Sequence, residues 1–150
     1  MKVEKIMTDN VGTCRLDDNL GKAVFIMWQR DCGAVPIVDD ENKVVGMVTD
    51  RDASIAAASR NMLVSDIGVK DFAVGKLISC GRKDKVEDAL KKMARHKIKR
   101  LPVVNKNGEL KGIISIADVL RLKKKKSVKK ELSRTLEAIS KPASIKLREI

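Results

Sequence analysis

A chain of 150 residues with 43% hydrophobic side chains can fold as one ordinary domain or as two very small halves sharing a core, which excludes wholesale disorder. No apolar run approaches the roughly 18 residues a membrane-crossing helix needs, and the first residues do not read as a secretory signal, so a cytoplasmic location with no membrane partner is expected. The net charge of +12 favours anionic partners, but it is uneven: residues 1–66 carry 8 basic and 11 acidic side chains (net −3), residues 67–120 carry 13 and 6 (+7), and residues 121–150 carry 11 and 3 (+8).

In chain order, a short extended piece is predicted over 12–15. A helix follows with Asp18 as its N-cap, because Leu20, Ala23, Val24 and Met27 fall on one face. Next come a buried strand over 34–38, with Pro36 near its start, a turn over 39–42 and a second strand over 44–48, which together make a hairpin. The stretch Gly46-Met47-Val48-Thr49-Asp50-Arg51-Asp52 then ends that strand and starts a second helix. Its hydroxyl–x–x–acid spacing has two readings. It is a capping box, which many helices use only to begin. It is also a place where free N–H groups and the positive end of a helix dipole can receive an anion such as phosphate.

All of this recurs 66 residues later. Val3/Val69, Cys14/Cys80, Asp18/Asp84, Ala23/Ala89, Met27/Met93, Pro36/Pro102, Val38/Val104, Gly46/Gly112 and Asp52/Asp118 are identical pairs, and no gap is needed between them. The chain is therefore an internal duplication, β-α-β-β-α twice, expected to divide at 1–66 and 67–122. The second copy runs from an extended piece over 77–80 through a helix capped by Asp84, with Glu87 completing a capping box. It closes on Gly112-Ile113-Ile114-Ser115-Ile116-Ala117-Asp118. Beyond Leu122 a basic tail, 123–150, begins with Lys123 to Lys126. Val128, Leu132, Leu136 and Ile139 predict an amphipathic helix ended by Pro142. Its apolar stripe needs burial, and a dimer contact or a partner protein is the expected cover.

Cys14, Cys32 and Cys80 have no metal-ligand or disulfide spacing and are expected to be small buried hydrophobes. No Walker loop, metal cluster or nucleophile–base pair stands in the chain, so no catalytic residue, metal site or required cofactor is expected.

The two Gly-h-h-Thr/Ser-x-x-Asp motifs, the Val-Pro-Ile-Val and Leu-Pro-Val-Val strands and the Lys5-Ile6-Met7-Thr8 opening resemble the tandem CBS-domain proteins (Bateman modules) of the stand-alone prokaryotic and archaeal type. The resemblance covers residues 1–122. It implies an α/β (α+β) fold whose two units pack sheet to sheet about a pseudo-two-fold axis. It also implies clefts between them for adenosyl compounds: AMP, ADP, ATP or S-adenosylmethionine. By that resemblance Asp52 and Asp118 would hold ribose hydroxyls, and Thr49 and Ser115 would lie beside phosphate. Thr13, Cys14, Arg15, Ser79, Cys80 and Gly81 would frame adenine, with Val35, Pro36, Leu101 and Pro102 as apolar walls. Lys99 and Arg100 would grip phosphate. The first copy has Gly33-Ala34 in their place, for which Arg51 would compensate. A cleft built from Lys99, Arg100, Ser115 and Asp118 is thus expected to bind phosphate more tightly than its counterpart. The function so implied is a non-catalytic sensor of an adenine nucleotide, acting as a homodimer. The alternatives are an S-adenosylmethionine module, or nucleic-acid binding through the basic second half and tail, which would be sequence-independent and salt-sensitive.

Overall fold

The computed structural model describes residues 1–73, 75–122 and 125–142. Each half builds one three-stranded sheet. β1 (Cys14–Arg15) lies parallel to β2 (Ala34–Val38), which pairs antiparallel with β3 (Val44–Thr49). β4 (Cys80–Gly81), β5 (Arg100–Val104) and β6 (Leu110–Ser115) repeat that order. Helices α1 (Leu20–Gln29) and α2 (Asp50–Arg60) flank the first sheet, and α3 (Val86–His96) and α4 (Ile116–Leu120) flank the second. The fold is the mixed α/β duplication expected. The parallel strands are shorter than expected, the first confined to the last two residues of 12–15 and the second meeting 77–80 only at Cys80, because only two residues of each run beside the hairpin.

Asp18 and Asp84 do not cap the helices that follow them. The cap of α1 is Asn19, whose side chain accepts from the Lys22 amide, and α3 starts after Lys85 with no side-chain cap. Asp18 and Asp84 instead accept from the amides of Arg15 and Gly81, at 2.7 and 3.0 Å. A short acidic side chain reaches a turn three residues back as readily as a helix ahead. Glu87 forms no capping box either; it accepts from the Ser127 hydroxyl at 3.0 Å.

The two units pack sheet to sheet about a pseudo-two-fold axis that can be read from hydrogen bonds between equivalent residues. The Val44 amide donates to the Gly108 carbonyl, and Leu110, the counterpart of Val44, donates to Asn42, the counterpart of Gly108, both at 3.0 Å. The segments leading into each copy cross over. Val3 lies in the core of the second unit with Leu90, Met93 and Leu101, and its amide donates to Asp84. Ile67 and Val69 lie in the core of the first with Leu20, Val35 and Val48, and the Val69 amide donates to Asp18. The motif glycines permit these crossings. A Cβ on Gly46 would stand 2.7 Å from the Phe72 carbonyl oxygen, and one on Gly112 would stand 2.6 Å from that of Thr8.

The tail helix α5 (Lys126–Ser140) forms as its spacing predicts and ends before Pro142, with Lys141 already extended. Lys123 and Lys124 of the basic run, and 143–150, lie outside the described residues. Most of its stripe is covered from within, while Leu136 stays 37% exposed. Val128 and Leu132 are buried in the core of the second unit, Ile139 packs against it, and the Thr135 hydroxyl donates to the Leu90 carbonyl at 3.2 Å. No described helix is long and apolar enough to cross a membrane.

Candidate functional site

Both motifs form complete capping boxes. The Asp52 amide donates to the Thr49 hydroxyl oxygen at 3.2 Å, and the Asp52 carboxylate accepts from the Thr49 amide at 2.9 Å. Ser115 and Asp118 do the same at 3.4 and 2.7 Å. The antiparallel registers Ala34↔Thr49 and Arg100↔Ser115 place each box beside the first residue of the neighbouring strand. Here the helix start faces the junction between the units.

Two clefts open at that junction. The first, of about 620 Å³, joins Thr49, Arg51 and Asp52 of the first unit to Lys99, Arg100 and Pro102 of the second, with Lys76, Leu77 and Ile78 along one side. The second, of about 610 Å³, joins Ser115, Asp118 and Arg121 to Gly33 and Ala34, with Asn10, Val11 and Gly12 in the place that 76–78 take in the first. Each motif thus faces the other unit's strand. Lys99 does not share a cleft with Ser115 and Asp118, so the expected grouping of those residues into one phosphate site is corrected; it sits with Thr49 and Asp52. The pseudo-two-fold axis crosses the pairs over.

Arg100 reaches between the two sites. Its Nη1 donates to the Gly33 carbonyl at 2.7 Å, and its guanidinium lies where a Cβ on Gly33 would meet it at 3.4 Å. Gly33 therefore marks where the opposite unit's arginine lands, and Ala34 beside it is buried in β2.

Thr13, Cys14, Arg15, Ser79, Cys80, Gly81 and Pro36 lie outside the lining of both clefts. Cys14 and Cys80 point into the cores, where burial pushes their thiols up to about 11 and about 12. The Arg15 side chain turns outward to an ion pair with Asp40. Val35 and Leu101 are fully buried in the two cores. The chain faces the clefts just before these strands begin, at 10–12 and 76–78. Cys32 departs from the expectation of a buried thiol and is exposed at the rim of the second cleft.

The residues missed in the sequence are Lys76 and Lys97 in the first cleft, and Arg30 and Arg121 in the second. Arg121 carried a usable signal, since it stands three positions after Asp118 on a helix. The carboxylates differ accordingly. Asp52 is half-buried and bonds the Thr49 amide. The Asp118 side chain is 6% exposed and accepts from the Ser115 amide, the Ser115 hydroxyl at 2.8 Å, and Arg121. Among the described residues no group of three or more His, Cys, Asp or Glu side chains could hold a metal ion.

Comparison with known proteins places this geometry. The CBS-domain family model matches residues 3–59 and 69–125. The inosine-5'-monophosphate dehydrogenase of Methanocaldococcus jannaschii is 32% identical over 124 residues, a match covering 82% of this chain but 24% of that enzyme. Among solved structures, a CBS domain protein from Pyrobaculum aerophilum complexed with AMP superposes with a TM-score of 0.74 at 21% identity, over 89% of this chain and 98% of that one. A CBS domain pair in complex with 5'-methylthioadenosine and S-adenosyl-L-methionine superposes at 0.72 and 22% identity, over 81% and 94%. Likeness at this level of identity establishes the shared fold. With two family units matched across three-quarters of its length, the chain belongs to the CBS-domain family.

Proposed function

We propose that the chain is a non-catalytic regulatory module that takes an adenine nucleotide, AMP foremost among AMP, ADP and ATP, chiefly in the first cleft. The observation that carries this is the composition of that cleft. A capped helix start and a half-buried carboxylate, Asp52, face five basic residues, Arg51, Lys76, Lys97, Lys99 and Arg100. A carboxylate suits a pair of adjacent ribose hydroxyls, and the basic rim suits a phosphate. The ligand bridges both units, so its binding favours whichever relative arrangement it fits better. S-adenosylmethionine is the second reading, supported by the neighbour solved with it; it offers no phosphate to the basic rim.

Calorimetry of the full chain with AMP, ADP, ATP, S-adenosylmethionine and short DNA tests these readings. Asp52→Asn keeps an acceptor for the Thr49 amide and is expected to weaken AMP by roughly ten- to a hundredfold; Asp118→Asn is expected to cost less than half as much in free energy. Equal losses would remove the preference for the first cleft, and no binding by any adenosyl compound would remove the reading itself. DNA binding, if seen, would be traced to Lys126, Lys129, Lys130 and Arg134, exposed on the outer face of α5, by charge reversal. Deleting the helix would strip the second core. We also propose a homodimer formed through α1 of the first unit, where Trp28 and Phe25 stand 78% and 55% exposed.

A further inference from the structure

We propose that Arg121 is a specificity-determining residue that withholds the carboxylate of the second cleft, so that two clefts written with one motif take the same ligand unequally. This rests on the reading of Asp52 and Asp118 as acceptors for the ligand's hydroxyls.

The geometry separates the two copies at one position. Asp118 Oδ2 serves both the amide and the hydroxyl of Ser115, and Oδ1 is held by the Arg121 guanidinium. A carboxylate offers about four acceptor sites, and with these three donors in place a diol finds too few left. In the first copy Oδ2 of Asp52 meets the Thr49 amide, and the residue equivalent to Arg121 is Ile55, which carries no donor. The helices differ to match. α2 continues to Arg60, whereas α4 ends at Leu120 and leaves Arg121 as its C-cap, free to fold back over the preceding turn. The Arg121 side chain is 71% exposed, so the guanidinium can leave; the carboxylate, nearly enclosed, cannot. A ligand must displace the arginine first, and its apparent affinity is reduced to the fraction of chains in which the pair is open.

The test uses the full chain with AMP and with adenosine as probes, by calorimetry, after a thermal melt confirms that each variant folds. Asp52→Asn isolates the second cleft. Adding Arg121→Met, which keeps the aliphatic stem, is expected to tighten both probes roughly five- to tenfold. A further Asp118→Asn is expected to erase that gain. Unchanged affinity for both probes on Arg121→Met overturns the proposal while leaving the first cleft's function intact. Weaker AMP with unchanged adenosine also overturns it, and makes Arg121 a phosphate ligand instead. If neither probe binds the unaltered chain or any variant, the adenosyl reading has failed and the proposal falls with it. Should Arg121→Met not fold, Arg121→Leu in the Asp52→Asn chain takes its place; the same gain for adenosine is expected, and unchanged affinity overturns the proposal.

Discussion

Cys14 and Cys80, equivalent by the duplication, prove equivalent in chemistry as well. Each is enclosed by its unit's core, and burial holds its thiol protonated, up to about 11 and about 12. The thiolate is the nucleophile, so neither reacts at neutral pH in the folded chain. Cys32 is exposed. A disulfide-exchange reagent at pH 7.5 should therefore modify one thiol rapidly and the other two only with the unfolding rate; three fast thiols would contradict the packing. The sign for stability follows from the same raised values. The protonated thiols favour the folded chain below the unfolded value of about 8.5, and that contribution disappears as pH rises toward 11 and 12. The motif residues carry the corresponding lesson for the site. Thr49 and Asp52 are both a helix cap and a cleft-facing pair, because satisfying one amide leaves the others at the helix start open to the cleft.

At the scale of elements, the crossing of the lead-in segments turns two motif glycines into packing requirements. Gly112 has an ordinary strand conformation, so the penalty for a side chain there is steric, against the Thr8 carbonyl oxygen at 2.6 Å and Met7. Gly112→Ala should cost about 1–3 kcal/mol, read as a fall in the urea midpoint. Gly68→Ala is the control, since its Cβ would meet nothing closer than 3.6 Å and its φ of −74° suits alanine; equal losses for the two would refute the crossing as the cause. The hairpins and helices were legible from residue pattern because periodicity and turn chemistry are local. Two things were not. Self-comparison shows that Val3 and Val69 are equivalent but cannot say which copy each enters, and both enter the opposite one. The same ambiguity misplaced Lys99, whose nearest motif in sequence is not the one it faces. Asp18 misled for a local reason: one residue separates a turn acceptor from a helix cap, and Asn19 stood next to it.

The whole molecule is a duplication whose two outer faces are finished differently. On the second unit, α5 covers α3, burying Leu90 completely. Its counterpart Val24 stays 37% exposed on α1, beside Phe25 and Trp28, whose rings pack 6.0 Å apart. Lys91 and Ala94 occupy those two positions in the covered copy. Between α1 and α2 a groove of about 450 Å³ is lined by Val24, Met27, Trp28, Ala53, Ala57 and Val64. An exposed aromatic face of this kind is expensive to leave in water. The proposed homodimer covers it with the same face of a second copy, and charge favours that choice. Residues 1–66 carry net −3 while the remainder carries +15, so joining two first units keeps the basic halves at opposite ends. Light scattering of the full chain should give twice the monomer mass, and Trp28→Ala with Phe25→Ala should return the monomer with its melting temperature little changed. Reversing Lys129, Lys130 and Arg134 on α5 should leave the dimer intact. A monomer throughout, or a dimer lost with the α5 charges instead, would move the contact away from α1. The first cleft and this exposed face share α2, through Thr49 at its start and Ala53 and Ala57 along its length, so the proposed ligand binding and the proposed association would meet on one helix.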